Sequence, residues 1–174
     1  MKRDELIDFK LYLITDRKLV TRHSSLVTAI EEALKGGVKA LQLREKDLGT
    51  RELLDMAYRM RELTGKYRAK LFINDRVDIA LSVEADGVHL GQKSIPAYAV
   101  KKIVKDKFMI GVSAHSIEEA KQAEKEGADF IKIELIYKAP SKQRSAQGVR
   151  VHIIRKTKAE ISIPVFAIGG IKKD

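Results

Sequence analysis

Short apolar runs alternate with amphipathic stretches along almost the whole chain, and no other feature restricts the fold as sharply. Leu11–Thr15, Ala40–Glu45, Lys70–Asp75, Gly87–Gly91, Met109–His115, Phe130–Tyr137 and Val165–Gly170 read as seven strands. Between them, Leu26, Ile30, Ala33 and Leu34 form one helical stripe, and Leu53, Leu54, Ala57 and Met60 a second. Ser116 with Glu119 reads as a capping box opening a helix that Gly127 closes. Thr50 is the candidate cap of the second helix, and Pro96 suits the first turn of the fourth. Ile30-Glu31-Glu32-Ala33 recurs as Ile117-Glu118-Glu119-Ala120, a hint of repeated units that helix propensity alone could also produce.

Strand–helix alternation with nearly continuous apolar strands predicts an α/β fold whose parallel sheet is covered by helices. Polar and glycine residues gather at the strands' C-terminal ends, the active-site face of a closed (β/α)8 TIM-type barrel. An open doubly wound sheet is the rival. It expects a Gly-rich turn after the first strand, where Thr15-Asp16-Arg17 stands instead. The expected architecture is therefore one domain over residues 1–174, a barrel that stops after its seventh strand. Unpaired edges on the first and seventh strands, with Val165 and Ile168 short of cover, predict a homo-oligomer formed through the open edge or a frayed last strand.

Two segments carry the chemistry. In Leu41-Gln42-Leu43-Arg44-Glu45-Lys46, alternation puts Gln42, Arg44 and Lys46 on one face. Three donors, two of them cationic, suit an anionic polyoxygen ligand such as a diphosphate. A solvated strand end is the alternative. Leu71-Phe72-Ile73-Asn74-Asp75-Arg76 repeats the pattern and adds a carboxylate. The chain has no Cys, which excludes disulfides, thiolate metal sites and cysteine nucleophiles. No apolar stretch reaches bilayer length, so no membrane partner is expected and a cytoplasmic location is the default. Of the net charge of +10, residues 138–174 hold +7, nine Lys or Arg against Glu160 and Asp174. Phosphate ligands could exploit that bias, and so could nucleic acid, but Phe166 is that segment's only aromatic beside no reading motif. His89 and His115 stand at strand ends, where a hydrogen-bonded structural role competes with that of a general base.

The stretches Leu11–Arg17, Gln42–Asp47, Phe72–Ala80, Ala85–Gln92, Gly111–Ser116 and Ile163–Ile171, in this order, resemble the thiamine phosphate synthases and their thiazole tautomerase relatives. The resemblance implies a transferase of thiamine biosynthesis in a (β/α)8 barrel. It would join a hydroxymethylpyrimidine diphosphate to a thiazole phosphate and release diphosphate, with Mg²⁺ as cofactor. Carried over by residue, Gln42, Arg44, Lys46 and Asn74 would hold the pyrimidine diphosphate, and Asp75 would ligate Mg²⁺. Ser113 would contact the pyrimidine side, and Ser141, Lys142, Gly169 and Gly170 would bind phosphate. Arg44, Lys46, Ser113 and Lys142 would be the catalytic set.

Four departures bear on activity. Ser94 stands where the family places a second Mg²⁺-binding Asp, and Ala139 replaces one hydroxyl of the phosphate motif. Lys132 and Glu134 share a face of the sixth strand where the family has small residues, so two long charged side chains would occupy pocket volume. Such charges must pair or reach water. These changes favour the alternative of a degenerate, catalytically weak phosphate-ligand-binding paralogue. A thiazole tautomerase-like relative is a second alternative, although the His that it would use on the sixth strand is Leu135 here.

Overall fold

The computed structural model describes residues 7–20, 25–104, 108–134 and 143–168, without the side chains of residues 134 and 143–151. The chain resolves into two compact units, one formed by residues 9–89 with 106–109, the other by residues 1–8, 90–105 and 110–174.

In the first unit, β1 (Tyr12–Ile14), β2 (Ala40–Leu43), β3 (Lys70–Asn74) and β4 (Gly87–Leu90, its last residue beyond the unit boundary) pair in chain order, all parallel. They alternate with α1 (Leu26–Lys35), α2 (Thr50–Lys66) and α3 (Val77–Ser82). Parallel neighbours need such crossovers. The predicted helical stripes are the buried ones: Ile30 and Leu34 on α1, Leu53, Ala57 and Met60 on α2. The cap of α2 differs from expectation. Gly49 occupies the cap, its N–H donating to the Glu52 carboxylate at 3.0 Å, while Thr50 is the first helical residue. The Thr50 hydroxyl instead accepts from Arg76 at 3.1 Å.

In the second unit, α4 (Ala97–Val104) begins directly after Pro96. β5 (Met109–Ala114, its first residue in the first unit), β6 (Phe130–Glu134) and β7 (Val165–Ile168) again pair in parallel, with α5 (Ile117–Lys125) and α6 (Gln143–Glu160) between them. Ser116 caps α5 as predicted, accepting from Glu119 N at 3.1 Å, and Gly127 follows its end with φ +96°. Glu119 reaches one residue further back than a capping box requires, to His115 N at 2.7 Å. β7 is half-buried throughout, whereas β2 and β5 are buried at every position.

The first five strands are shorter than their apolar runs. β2 ends at Leu43, not Glu45, because Arg44 N turns to the Thr15 hydroxyl at 2.9 Å rather than continuing the ladder. The Ile-Glu-Glu-Ala repeat is not a structural one, since Ile30 lies inside α1 and Ile117 opens α5. The repeat that does hold is Ala85-Asp86 and Ala128-Asp129. Each Asp donates its N–H to the preceding strand and takes that same strand residue's N–H on its carboxylate: Leu71 for Asp86 (2.9 and 2.8 Å), Ile110 for Asp129 (2.8 and 2.8 Å).

Candidate functional site

Where β3 ends, the backbone makes an uncommon turn. Asp75 has φ +61°, in the left-handed region that non-glycine residues rarely enter, and Arg76 N bonds back to Asn74 O at 2.7 Å to close a three-residue turn around it. Asp75 N is held by the His89 carbonyl at 2.9 Å. Strain of this kind persists where the surroundings over-determine it, commonly at functional positions. Its effect here is to project the Asp75 carboxylate beside Asn74, whose Nδ2 donates to Asp75 Oδ2 at 2.7 Å.

That bond orients a chain of amides. A carboxylate oxygen can only accept, so Asn74 must turn its own oxygen away, and Gln42 Nε2 donates to it at 2.7 Å. Gln42 is then left with Oε1 fully buried and without a partner among the described residues. An orphaned buried acceptor costs about 1–3 kcal/mol. A ligand with an N–H or O–H donor at that point would remove the cost.

A cleft of about 300 Å³ opens beside this chain, lined by Glu45, Lys46, Asn74, Asp75 and Arg76 over a floor that includes Leu43 and Leu53. Two of the predicted strand ends thus meet in one cleft of the first unit. Lys46 reaches it from a turn after β2, so strand alternation, which predicted a face shared with Gln42, does not apply there. Arg44 is exposed and is not among the lining residues.

Arg76 and Glu45 received no role from the sequence. Arg76 grips Asp78 through Nε at 2.9 Å and NH2 at 2.6 Å, a pairing that holds the Asp78 carboxyl below the usual range and raises the guanidinium further. Glu45 is 5% exposed and accepts from Arg17 N at 3.1 and 3.3 Å. Arg17 also donates to Asp47 at 2.8 Å, which brings the Asp47 carboxyl down to about 2. The available signal was charge alternation, Arg17 standing against Glu45 and Asp47 in two of the stretches that carry the resemblance.

His89 takes the structural role. It is 1% exposed, and its Nδ1 lies 3.3 Å from the Tyr12 hydroxyl. Tyr12 is half-buried overall with its ring packed against Phe9 and Phe72, which also touch each other, and burial raises the phenol well above its ordinary value. His115 is exposed and bonds to Glu119 at 3.2 Å.

In the second unit, Ser113 is 5% exposed and in register with Lys132, itself in register with Phe166. Side chains in register on neighbouring strands share a face. Lys132 is 3% exposed, so β6 carries a buried cationic side chain. Ser94 Oγ accepts from Gly91 N at 2.8 Å, closing the turn before α4. Ser141, Lys142, Gly169, Gly170, Ala139 and Leu135, with the side chain of Glu134, lie outside the described residues.

Residues 11–174 match the thiamine monophosphate synthase family. A thiamine-phosphate synthase of Clostridium acetobutylicum is 44% identical over 168 residues, 97% of this chain and 79% of that protein. A putative thiamine-phosphate synthase 2 of Aquifex aeolicus is 49% identical over 162 residues, 93% of this chain and 85% of the relative. The solved structure of thiamine phosphate pyrophosphorylase from Pyrococcus furiosus superposes with a TM-score of 0.82 at 40% identity, covering 96% of this chain and 78% of that one. The fold is accordingly α/β, of the TIM-barrel type, with seven strands among the described residues. With a match that runs from the first strand to the last residue, the chain belongs to the thiamine monophosphate synthase family.

Proposed function

We propose that the protein is a transferase of thiamine biosynthesis that joins a hydroxymethylpyrimidine diphosphate to a thiazole phosphate and releases diphosphate. The observation that carries this reading is the Gln42–Asn74–Asp75 chain at the head of a cleft that also holds Lys46 and Arg76. It sets an amide and a carboxylate, Asn74 and Asp75, beside cations suited to a diphosphate, with Gln42 buried behind Asn74.

In the reaction, the bond between the pyrimidine methylene and the diphosphate oxygen breaks with its electrons going to the oxygen. The thiazole nitrogen lone pair then forms the new carbon–nitrogen bond, leaving a thiazolium. Negative charge grows on the departing diphosphate, so fixed cations lower the barrier more than they favour the ground state. Lys46 and Arg76 supply that charge from the cleft wall, and Gln42 holds the Asn74 amide in orientation. No side-chain nucleophile is needed.

Asp75 is the residue that would hold Mg²⁺. Among the described residues no three His, Asp, Glu or Cys side chains gather for a metal. The donor set fits an ion resting on one carboxylate, with ligand phosphates and water at its other positions, a common mode for Mg²⁺. When bound, the ion neutralises leaving-group charge.

Formation of thiamine phosphate from both substrates with Mg²⁺ tests the reading, and absence of product would overturn it. By calorimetry, Asp75→Asn should weaken Mg²⁺-dependent diphosphate binding, and Lys46→Ala should weaken binding with or without the metal. A second reading, a weakly active phosphate-ligand-binding relative, draws on buried Lys132 and on the engagement of Ser94 with Gly91. Ser94→Asp separates the two: tighter Mg²⁺ binding in the presence of diphosphate would identify the missing carboxylate as the limiting part.

A further inference from the structure

The β1–β2 ladder ends at Ile14 opposite Gln42, yet Arg44, Glu45 and Asp47 beyond it stay bound to residues 15–18 after β1. Thr15, 2% exposed, takes Arg44 N on its hydroxyl. Glu45 takes Arg17 N on both oxygens and lies 3.8 Å from Arg17 Nε. Asp47 takes Arg17 NH2 at 2.8 Å and Lys18 Nζ at 3.3 Å. Asp16 caps the single turn Arg17–Leu19 by accepting from Lys18 N at 3.0 Å. The side chain of Glu45 is 3% exposed and lines the cleft, while that of Arg17 is 40% exposed and does not.

An anionic ligand and a buried carboxylate on the wall of one cleft repel each other unless a cation compensates the carboxylate. Arg17 is that cation, and it also ties down the segment that presents Lys46. We propose that Arg17 is a positioning residue for diphosphate binding: it touches no ligand, neutralises Glu45 at the cleft wall and fixes the Glu45–Asp47 segment in place. This rests on the diphosphate reading above and assigns a determinant of it outside the cleft.

The test is calorimetry with inorganic diphosphate and Mg²⁺ on the intact chain, with folding followed by circular dichroism. Arg17→Ala should weaken diphosphate binding by about tenfold, within the usual range of direct pairwise coupling. Arg17→Lys should recover part of the loss. Arg17→Ala combined with Glu45→Gln should recover most of it, because the uncompensated charge is gone while an acceptor remains for the residue 17 N–H. A purely structural role predicts instead that the double variant is both less stable and weaker binding than either single one. Unchanged affinity in Arg17→Ala, no recovery in the double variant, or no diphosphate affinity in the parent protein would each overturn the proposal. A parent protein that binds diphosphate but forms no thiamine phosphate would overturn the functional reading alone.

Discussion

Phe72 and Phe130 fill the interiors of the two units, and each lies in register with a glycine on the adjacent strand: Phe72 opposite Gly87, Phe130 opposite Gly111. Both rings are fully buried. In the first unit the large residue precedes the small one along the chain; in the second the order is reversed. A Cβ on Gly87 would stand 2.8 Å from the Phe72 ring and 2.3 Å from the Met109 carbonyl oxygen, so this glycine is required by close approach. The first unit thus meets the volume demand of a ring between parallel strands by pairing large with small across the ladder, and the second has the same pairing in register. Because the order differs, no repeat along the sequence announces it.

The segments before these residues extend the comparison. Glu84-Ala85-Asp86-Gly87 and Gly127-Ala128-Asp129-Phe130 both place a positive φ two residues before the Asp, +51° at Glu84 and +96° at Gly127. Both Asp carboxylates close the same bond to the preceding strand. They differ in surroundings. The Asp86 side chain is 24% exposed, with Arg61 at 2.7 Å and Lys70 at 3.9 Å, whereas Asp129 is 5% exposed. One local bond can therefore be held in a wetter or a drier setting, and its worth should follow.

The largest effect is expected from the rings. Phe72→Ala and Phe130→Ala should each cost about 3–5 kcal/mol of stability in denaturant titrations. Comparable losses would support a shared packing role, and a loss below about 1 kcal/mol at either site would break the comparison. Gly87→Ala should follow, at roughly 3 kcal/mol, near the top of the range for overpacking. Combining it with Phe72→Leu should recover only part, since the clash with the Met109 backbone remains; full recovery would show that the ring alone sets the requirement.

Next come the aspartates. Asp129→Ala should cost about 2–3 kcal/mol, because the Ile110 N–H is left buried without its charged acceptor. Asp86→Ala should cost less, about 1–2 kcal/mol, as water can reach the vacated site. Hydrogen exchange at the Ile110 and Leu71 amides reads the two bonds directly, and equal losses would remove the role given to burial. The smallest effect is a gain. Glu84→Gly relieves a left-handed non-glycine residue and should stabilise by up to about 1 kcal/mol, the cost of that conformation less the added freedom of the unfolded chain. A loss of stability there would mean that the Glu84 side chain contributes more than its backbone costs.

The apolar runs, the stripes of α1 and α2, and the Ser116 and Gly127 signals located the elements, because propensity, capping and periodicity act within a few residues of chain. The motif stretches also carried Lys46, Asn74 and Asp75 to the cleft that they line, since strand ends of parallel βα units fall on one face. Tertiary structure decided the rest. Thr15 ends β2 early by taking the Arg44 amide, which is why alternation fails for Lys46. The Asn74–Asp75 bond forces the Gln42 amide to face one way and strands its oxygen, a consequence of donor and acceptor matching across two strands. Glu45 is buried because Arg17, 28 residues earlier, is there to accept its charge. Each of these depends on which side chain meets which across the register. Register is set by packing between distant segments, and a single strand read alone does not contain it.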